Sequence, residues 1–215
     1  MPTAVTGNLE LEEPMDRQRE FPDWEELYRD KAVESMPWFN PDLDPDLDRA
    51  LTLLNLHAGT ALDLGTGPGT QARALAERGF KVTATDISET AVTQAQGKAK
   101  ARGLDISFIQ DDILNSKLDQ TFDFVFDRGC FHVFPPTRRQ DYVRVVDSLI
   151  KPKGYLFLKC FSHLETREEG PYRFTPEEIK EIFSSRFNVI SVEQTVYHGT
   201  LNPFPRALFC VMEKY

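Results

Sequence analysis

The stretch ALDLGTGPGT, residues 61–70, places a glycine-rich turn directly after a short apolar run. The apolar run predicts a buried β-strand, and glycine supplies the backbone conformations that a tight strand-to-helix turn requires. The glycines stand at 65, 67 and 69, a GxGxG spacing, whereas the dinucleotide fingerprint GxGxxG needs a glycine at 70, where this sequence has threonine. The turn therefore predicts a ligand site after the first strand, without the dinucleotide spacing.

The residues of this turn favour a cationic ligand over a phosphate. Pro68 has no backbone N–H to offer an anion, and Asp63 adds negative charge two residues before the first glycine. A phosphate-binding P-loop is excluded because no Gly-Lys-Ser/Thr follows the turn.

From residue 60 onward the pattern alternates between strand and helix. We predict five strands and three helices there, which indicate a mainly parallel sheet with helices on both faces. Residues 187–199 and 205–215 are strand-like and joined by a short loop without a helix, so this pair is predicted to be antiparallel. Thr175 and Glu178 form a capping-box pattern for a further helix. The strands are expected at 60–65, 81–86, 106–110, 122–127 and 154–161, and the helices near 69–78, 89–102 and 137–150.

The segment before the first strand divides into two parts. Residues 1–20 lack apolar periodicity and predict a mobile arm. An ordered region begins at residue 21, with one helix in PDWEELYRDKAVES and a second that starts with Asp44 as N-cap and Pro45 at its first position. We expect residues 21–215 to form a single domain.

Composition narrows the class of partner. The 215 residues are 40% hydrophobic and 27% charged with a net charge of −9, which disfavours nucleic acid as a partner. No apolar run approaches the roughly 20 residues of a membrane span, and no secretory signal opens the sequence, so a cytoplasmic location is expected. Cys130, Cys160 and Cys210 lack CxxC spacing and are interpreted as reduced thiols, and no metal site is predicted.

Two acidic positions after later strands point to a nucleoside. Asp86 ends the second strand, 86 − 65 = 21 positions after the first glycine, close to the offset of roughly 20 residues at which an acid accepts ribose hydroxyls. Asp111 and Asp112 end the third strand, and either is a candidate acceptor for an adenine amino group. Adenosine with a cationic appendage describes S-adenosylmethionine.

With these motifs in place, the sequence resembles the class I S-adenosylmethionine-dependent methyltransferases from about residue 60 to 215. The matching stretches are ALDLGTGPG, VTATDIS, FIQDDI, FDFVFDRGCFHVF and IKPKGYLFLKCF, in the family's order. The resemblance implies a Rossmann-like α/β fold, with a seven-stranded, mostly parallel sheet ending in an antiparallel hairpin. It places Asp86 at the ribose, Ile87 against adenine, and Asp112 with the Ile113 backbone at the adenine edge. By the same resemblance, the methionine end of the cofactor is held by Asp63, Gly65, Thr66, Gly67 and Gly69 and lined by Asp127 and Arg128.

Within this class, DRGCFHVF and the upstream W…LY and PWF stretches look like small-molecule enzymes. They resemble the thiopurine, thiol and halide methyltransferases and the tellurite-resistance group. In such enzymes an aromatic N-terminal segment folds over the cofactor. This implies that residues 21–58 form a helical cap over the cofactor site, with Trp38 and Tyr28 as candidate contacts. The implied function is methyl transfer to a small nucleophile, sulfur or another soft acceptor.

The acceptor side is predicted from position in the sheet. Methyl transfer from a sulfonium needs alignment and a dry pocket, and a general base is optional. His132, which follows the fourth strand, is the candidate base, and the alternative is that it packs or caps at a helix start. Candidate substrate contacts are Trp38, Phe131, His132, Tyr172 and Arg206, against the alternatives of ordinary packing for the rings and a solvated arginine.

Two other functions remain open at this stage. A protein that binds S-adenosylmethionine without turnover has the same motifs, because methyltransferases have no invariant nucleophile. An NAD(P)-dependent oxidoreductase is disfavoured by the position of the third glycine and by Pro68. The sequence does not specify the acceptor or whether the chain is a monomer or a dimer.

Overall fold

A computed structural model describes residues 19–215, so the predicted arm lies outside the described residues except for Arg19 and Glu20. The helices are α1 (Trp24–Asp30), α2 (Pro45–Leu53), α3 (Thr70–Glu77), α4 (Glu89–Ala101), α5 (Pro136–Leu149) and α6 (Pro176–Phe183). The strands are β1 (Thr60–Leu64), β2 (Lys81–Asp86), β3 (Ile106–Gln110), β4 (Phe122–Arg128), β5 (Ile150–Ser162), β6 (Arg173–Phe174), β7 (Phe187–Val196) and β8 (Arg206–Lys214).

The strands form one mixed sheet in the order β3-β2-β1-β4-β5-β8-β7. The first five of these strands pair in parallel, whereas β8 is antiparallel to both of its neighbours, β5 and β7. This arrangement confirms the predicted α/β fold with its C-terminal antiparallel pair. The two-residue strand β6, which pairs in parallel with the end of β5, is an addition that the sequence pattern did not predict.

Two apolar cores lie on opposite faces of the sheet, because alternate side chains of each strand point to opposite faces. Along β5, Leu156 and Leu158 belong to one core and Phe157 to the other. Helices α5 and α6 cover the first face, and α2 and α3 cover the second. The helices on both faces are therefore as predicted.

Local signals explain where the helices begin. Asp44 accepts a hydrogen bond from the backbone N–H of Asp46 at the start of α2. Thr175 and Glu178 make both hydrogen bonds of the capping box at the start of α6. Strand β5 is longer than predicted because α5 runs into it without a loop, and Lys153, at φ 66°, marks an irregularity where its register with β4 shifts.

Two smaller predictions concern the cysteines and membrane-spanning helices. All three cysteines are free thiols, with Cys160 and Cys210 buried and Cys130 half-buried. In the described part of the chain, no helix is long and apolar enough to cross a membrane.

Candidate functional site

The glycine turn lies at the carboxyl edge of the sheet, between the end of β1 and the start of α3. Gly67 has a φ of +49°, and a Cβ there would lie 2.5 Å from the hydroxyl of Tyr28. Gly69 has a φ of +71°, and a Cβ there would lie 2.8 Å from that of Ala95 on α4. Glycine is therefore required at both positions by backbone conformation and by close packing.

Asp63 lies beneath this turn and is almost completely buried. Its carboxylate accepts hydrogen bonds from the Thr66 hydroxyl at 2.5 Å and from the backbone N–H of Ala72 at 3.0 Å. Burial raises the pKa of Asp63 to about 7, despite these two hydrogen bonds. A nearby cation would favour the ionised form of this carboxyl.

Asp86 joins the turn to the end of β2. One carboxylate oxygen accepts from the backbone N–H of Gly67 at 2.8 Å, and the other accepts from the backbone N–H of Ser88 at 3.0 Å. Burial raises the pKa of Asp86 as well. The side chain predicted to hold ribose thus also sets the shape of the glycine turn.

The predicted adenine contacts lie at the ends of β2 and β3. The side chain of Ile87 is exposed, an uncommon position for isoleucine and a suitable face for an aromatic ring. Asp112 uses both carboxylate oxygens locally, with the backbone of Leu114 and the side chain of Asn115 as donors. The neighbouring Asp111 has one buried carboxylate oxygen with no hydrogen-bond partner among residues 19–215. Asp111 is therefore the acidic residue with a free acceptor, whereas the resemblance favoured Asp112.

Asp127, at the end of β4, faces the protein interior. Its carboxylate accepts hydrogen bonds from the backbone N–H groups of residues 129, 130 and 131 and from the hydroxyl of Tyr142. These contacts shape the turn after β4, and the side chain does not line the cavity at the glycine turn. Its predicted role beside the methionine end remains a prediction.

Arg128, the next residue, points to the other side and connects three segments. Its Nε donates to Asp44 at 2.8 Å, and its two terminal nitrogens donate to the backbone carbonyls of Trp38 and His198. It lines the cavity at the glycine turn.

A cavity of about 40 Å³ brings together six of the predicted cofactor residues. Sequence reasoning did not include Asn40 or Gln71, which also line it, although Gln71 lies in the first turn of the helix that follows the glycines. A larger groove of about 270 Å³ lies elsewhere, against Leu51 and Phe80, and includes none of the predicted residues. The predicted residues in the smaller cavity are Trp38, Asp63, Gly65, Thr66, Gly67 and Arg128.

Helix α1 packs over the same region. The carboxylate of Glu25 accepts hydrogen bonds from the hydroxyl of Ser88, the hydroxyl of Thr90 and the backbone N–H of Thr90, at the start of α4. These hydrogen bonds lower the pKa of Glu25 to about 2, and the Thr90 hydroxyl has the largest effect. Trp24 on α1 meets Trp38 edge to face, with ring centroids 5.9 Å apart.

His132 is buried among aromatic rings. Its Nδ1 accepts the backbone N–H of Phe161 at 3.2 Å, and its ring packs against the rings of Phe161 and Tyr197. Burial lowers the pKa of His132 to about 3, so the ring is neutral at neutral pH. This environment favours the packing interpretation of His132 over a role as base.

The remaining substrate candidates are not brought together. Phe131 is fully buried and packs against Tyr142, Phe174 and Phe183 in the core beneath α5 and α6. Tyr172 is buried below the guanidinium of Arg19. Arg206 is exposed, and its backbone N–H donates to Glu165. Of this set, Trp38 alone lines the cavity at the glycine turn.

The sequence is similar to those of known proteins. A family model described as a methyltransferase domain matches residues 61–154. An uncharacterised methyltransferase of Schizosaccharomyces pombe is 35% identical over 142 residues, which are 65% of this chain and 94% of that protein. A 2-heptyl-1-hydroxyquinolin-4(1H)-one methyltransferase of Mycobacteroides abscessus is 29% identical over 77% of this chain and 76% of its own length. Further relatives, at 24–27% identity, are named as thiocyanate, thiol and thiopurine methyltransferases.

A solved structure has the same fold over nearly the whole chain. It concerns the conversion of a disulfide bond into a thioacetal group during echinomycin biosynthesis, and it superimposes with a TM-score of 0.76 at 24% identity, covering 89% of this chain and 90% of the other. The chain belongs to the S-adenosylmethionine-dependent methyltransferases. Its cofactor is S-adenosylmethionine, which decides against the nicotinamide alternative.

The residues at the carboxyl edge fit this cofactor. A cationic amino group near the buried Asp63 would stabilise its ionised form, and Asp111, at the end of β3 where the adenine is predicted, has an acceptor without a partner among the described residues.

Proposed function

We propose that this methyltransferase acts on a small nucleophile that reacts without a protein base, with sulfur as the favoured atom. The observation that carries the proposal is the state of His132, the residue predicted to be the base. With its pKa lowered to about 3 and its Nδ1 accepting a backbone N–H, this ring is a poor proton acceptor at neutral pH. Thiolates need no such base, because they already have the reactive lone pair.

The names of the relatives support this chemistry. Thiocyanate, thiols and thiopurines all present sulfur to the methyl donor. The hydroxyquinolone enzyme, at 29% identity, favours a second candidate, an acidic hydroxyl group attached to nitrogen. An acceptor of either kind ionises readily in water, and the enzyme then needs to supply alignment and a dry pocket.

The chain's own residues would hold the cofactor as follows. When bound, S-adenosylmethionine supplies an electrophilic methyl group on a positively charged sulfur. We assign its amino group to Asp63, its ribose hydroxyls to Asp86 and its adenine amino group to the acidic pair at the end of β3, where Asp111 has the free oxygen. The exposed side chain of Ile87 would cover one face of the adenine.

We further propose that residues 21–58 form a cap within a single domain covering residues 21–215. Glu25 fixes α1 to the start of α4, and Arg128 fixes the Trp38 backbone beside the glycine turn. A cap held at both points would exclude water from the reacting atoms, which strengthens electrostatic interactions there.

An acceptor panel tests the proposed chemistry. The purified protein would be given S-adenosylmethionine with thiocyanate, thiopurines, alkyl thiols of different pKa, an N-hydroxyquinolone, and a simple phenol and amine. We expect methylation of the sulfur compounds, with a pH-rate profile that moves with the pKa of each thiol. One enzyme-derived pKa common to all acceptors, or turnover of the phenol and amine alone, would contradict the proposal.

The cofactor assignment has its own test. Asp86→Ala removes the proposed ribose acceptor, and we expect its affinity for S-adenosylhomocysteine in calorimetry to fall about 100-fold. Asp105→Ala, an exposed carboxylate that precedes β3 at the opposite edge of the sheet, is the control and should bind normally. Normal binding by the Asp86 variant would show that the ribose lies elsewhere.

A further inference from the structure

A fully buried lysine lies behind the wall of the cavity at the glycine turn. The Nζ of Lys159, on β5, donates to both carboxylate oxygens of Asp44, at 2.9 and 2.8 Å, and to Asp46 at 2.8 Å. The side chain of Lys159 is 0% exposed, and the Tyr197 ring lies 5.6 Å from its ammonium nitrogen. A buried ammonium group with three such acceptors is fully satisfied.

Asp44 links this lysine to the cavity. The carboxylate oxygen that accepts from Lys159 at 2.8 Å also accepts from Arg128, and Arg128 pairs with Lys159 across β4 and β5. The guanidinium of Arg128 in turn holds the Trp38 carbonyl at 3.0 Å and the His198 carbonyl at 2.6 Å. One buried ammonium thus orients a carboxylate, and that carboxylate orients a guanidinium that binds two separate backbone segments.

One of these segments lines the cavity at the glycine turn, and the other packs behind it. Trp38 lines the cavity directly. The loop that contains His198 packs on the same segment, because the backbone N–H of Thr200 donates to the Pro37 carbonyl at 3.1 Å. Gln71, a further cavity residue, accepts the backbone N–H of Asp44 at 2.7 Å. The charged cluster therefore touches the cap, the hairpin loop and the helix after the glycines.

The composition of this cluster argues for positioning over simple stability. Replacing a buried ion pair by apolar side chains of similar volume is often neutral or stabilising, so a buried charge cluster is a weak way to hold a sheet together. Its strength is geometric, because each partner has only a narrow range of positions that satisfies all donors and acceptors.

We propose that Lys159 is a positioning residue of this methyltransferase, which acts through Asp44 to orient Arg128 and so holds Trp38 in the cavity wall and the His198 loop behind it. This inference rests on the proposed cofactor site. It concerns residues that do not touch the cofactor themselves, and it predicts that removing the buried charge pair weakens cofactor binding without loss of the fold.

The test uses the charge-balanced double variant Lys159→Met/Asp44→Asn. Methionine has a similar length, and asparagine retains an acceptor that caps α2. Thermal unfolding reports the fold, calorimetry with S-adenosylhomocysteine reports the site, and acrylamide quenching reports the wall, because the only two tryptophans of the chain, Trp24 and Trp38, both lie in the cap. We expect cooperative unfolding, an affinity reduced about tenfold or more, and increased quenching.

Leu149→Ala is the matched control. Leu149 is buried at the end of α5, at the opposite edge of the sheet, so its loss destabilises the core without reaching the cap. We expect this variant to have a lower Tm with normal affinity and quenching. An effect of the same size in both variants would assign Lys159 to stability alone.

Other outcomes are equally decisive. Affinity within about twofold of the parent protein and unchanged quenching in the double variant would overturn the proposal. If the double variant does not fold, the nearly isosteric Asp44→Asn is judged by the same criteria. If the parent protein does not bind S-adenosylhomocysteine, the proposed cofactor site fails, whereas the quenching comparison still tests whether Lys159 orders the wall.

Discussion

Lowering the pH from 8 to 6 is expected to weaken cofactor binding through Asp63. In the free protein, burial raises the pKa of this carboxyl to about 7, so at pH 6 most molecules have it protonated. The cationic amino group that we assign to Asp63 favours the ionised form, and binding therefore releases a proton. Affinity rises with pH wherever the free protein holds a proton that the complex does not.

The magnitude follows from the position of this pKa. If the complex holds Asp63 ionised throughout the range, the affinity at pH 6 should be about tenfold below that at pH 8, approaching a tenfold change per pH unit in more acidic solution. Asp86, whose pKa is also raised by burial, adds to the slope if it is protonated in the same range. Asp63→Asn isolates the first contribution, because it removes the titrating group and leaves Asp86 in place.

Calorimetry with S-adenosylhomocysteine at pH 6, 7 and 8, in buffers of different ionisation enthalpy, measures both affinity and protons released. Asp63→Asn should bind more weakly at pH 8 and show a shallower pH dependence. Asp123→Asn is the control, since Asp123 pairs with Lys151 and Thr60 at the start of β4, away from the site. An affinity equal at pH 6 and pH 8, or an Asn variant that binds as tightly as the parent, would refute the reasoning.

The raised pKa of Asp63 has the opposite effect on stability, which is expected to fall as the pH rises. The folded state binds this proton more tightly than the unfolded state, so the contribution of Asp63 to stability is greatest in acid and is lost as the pH rises through about 7. Above pH 8 the ionised group lowers the free energy of unfolding by an amount on the order of 4 kcal/mol. Asp63→Asn should therefore raise the Tm of the ligand-free protein at pH 8, and a lowered Tm would contradict this.

Two further predictions concern the glycine turn and the buried histidine. Gly67→Ala should lower the Tm and the cofactor affinity more than Gly79→Ala does. Both glycines have positive φ, but only at Gly67 does a Cβ meet the Tyr28 hydroxyl. Equal effects of the two variants in calorimetry and thermal unfolding would contradict this reasoning. His132, with its pKa lowered to about 3, stays neutral in the folded protein, whereas in the unfolded chain it takes up a proton below about pH 6.5. The free energy of unfolding therefore falls on acidification by up to about 1.4 kcal/mol per pH unit. In urea unfolding between pH 5 and 7, His132→Gln should show a shallower dependence of this free energy on pH.

Local signals in the sequence predicted most of the fold. The GxGxG turn, the capping box of Thr175 and Glu178, and the two strand-like runs without an intervening helix each depend on residues close together in the chain, and all three appear in the structure. The two-residue strand β6 had no such signal, because it exists only where the end of β5 offers free hydrogen-bonding groups.

The candidate site was less accessible to sequence reasoning, because burial and orientation depend on distant residues. Lys159 and Asp44 are 115 positions apart, and a lysine in the run YLFLKCF does not reveal its partner. The resemblance implies that Asp127 lies beside the ligand, yet its carboxylate turns inward to the N–H groups of the next residues. His132 occupies the position predicted for a base, and the rings that bury it come from β5 and from the residue after β7.

The place of strand β8 in the sheet bears on how the chain is made. It follows every other strand along the chain, yet it lies between β5 and β7, and in the described part of the chain β7 pairs with β8 alone. During synthesis, β5 and β7 emerge first and remain without this partner until residues 206–214 arrive. Unpaired apolar strand edges invite pairing with other chains. A nascent chain arrested before residue 206 therefore exposes strand edges of β5 and β7 that invite aggregation, and a premature stop there would leave both strands without their shared partner.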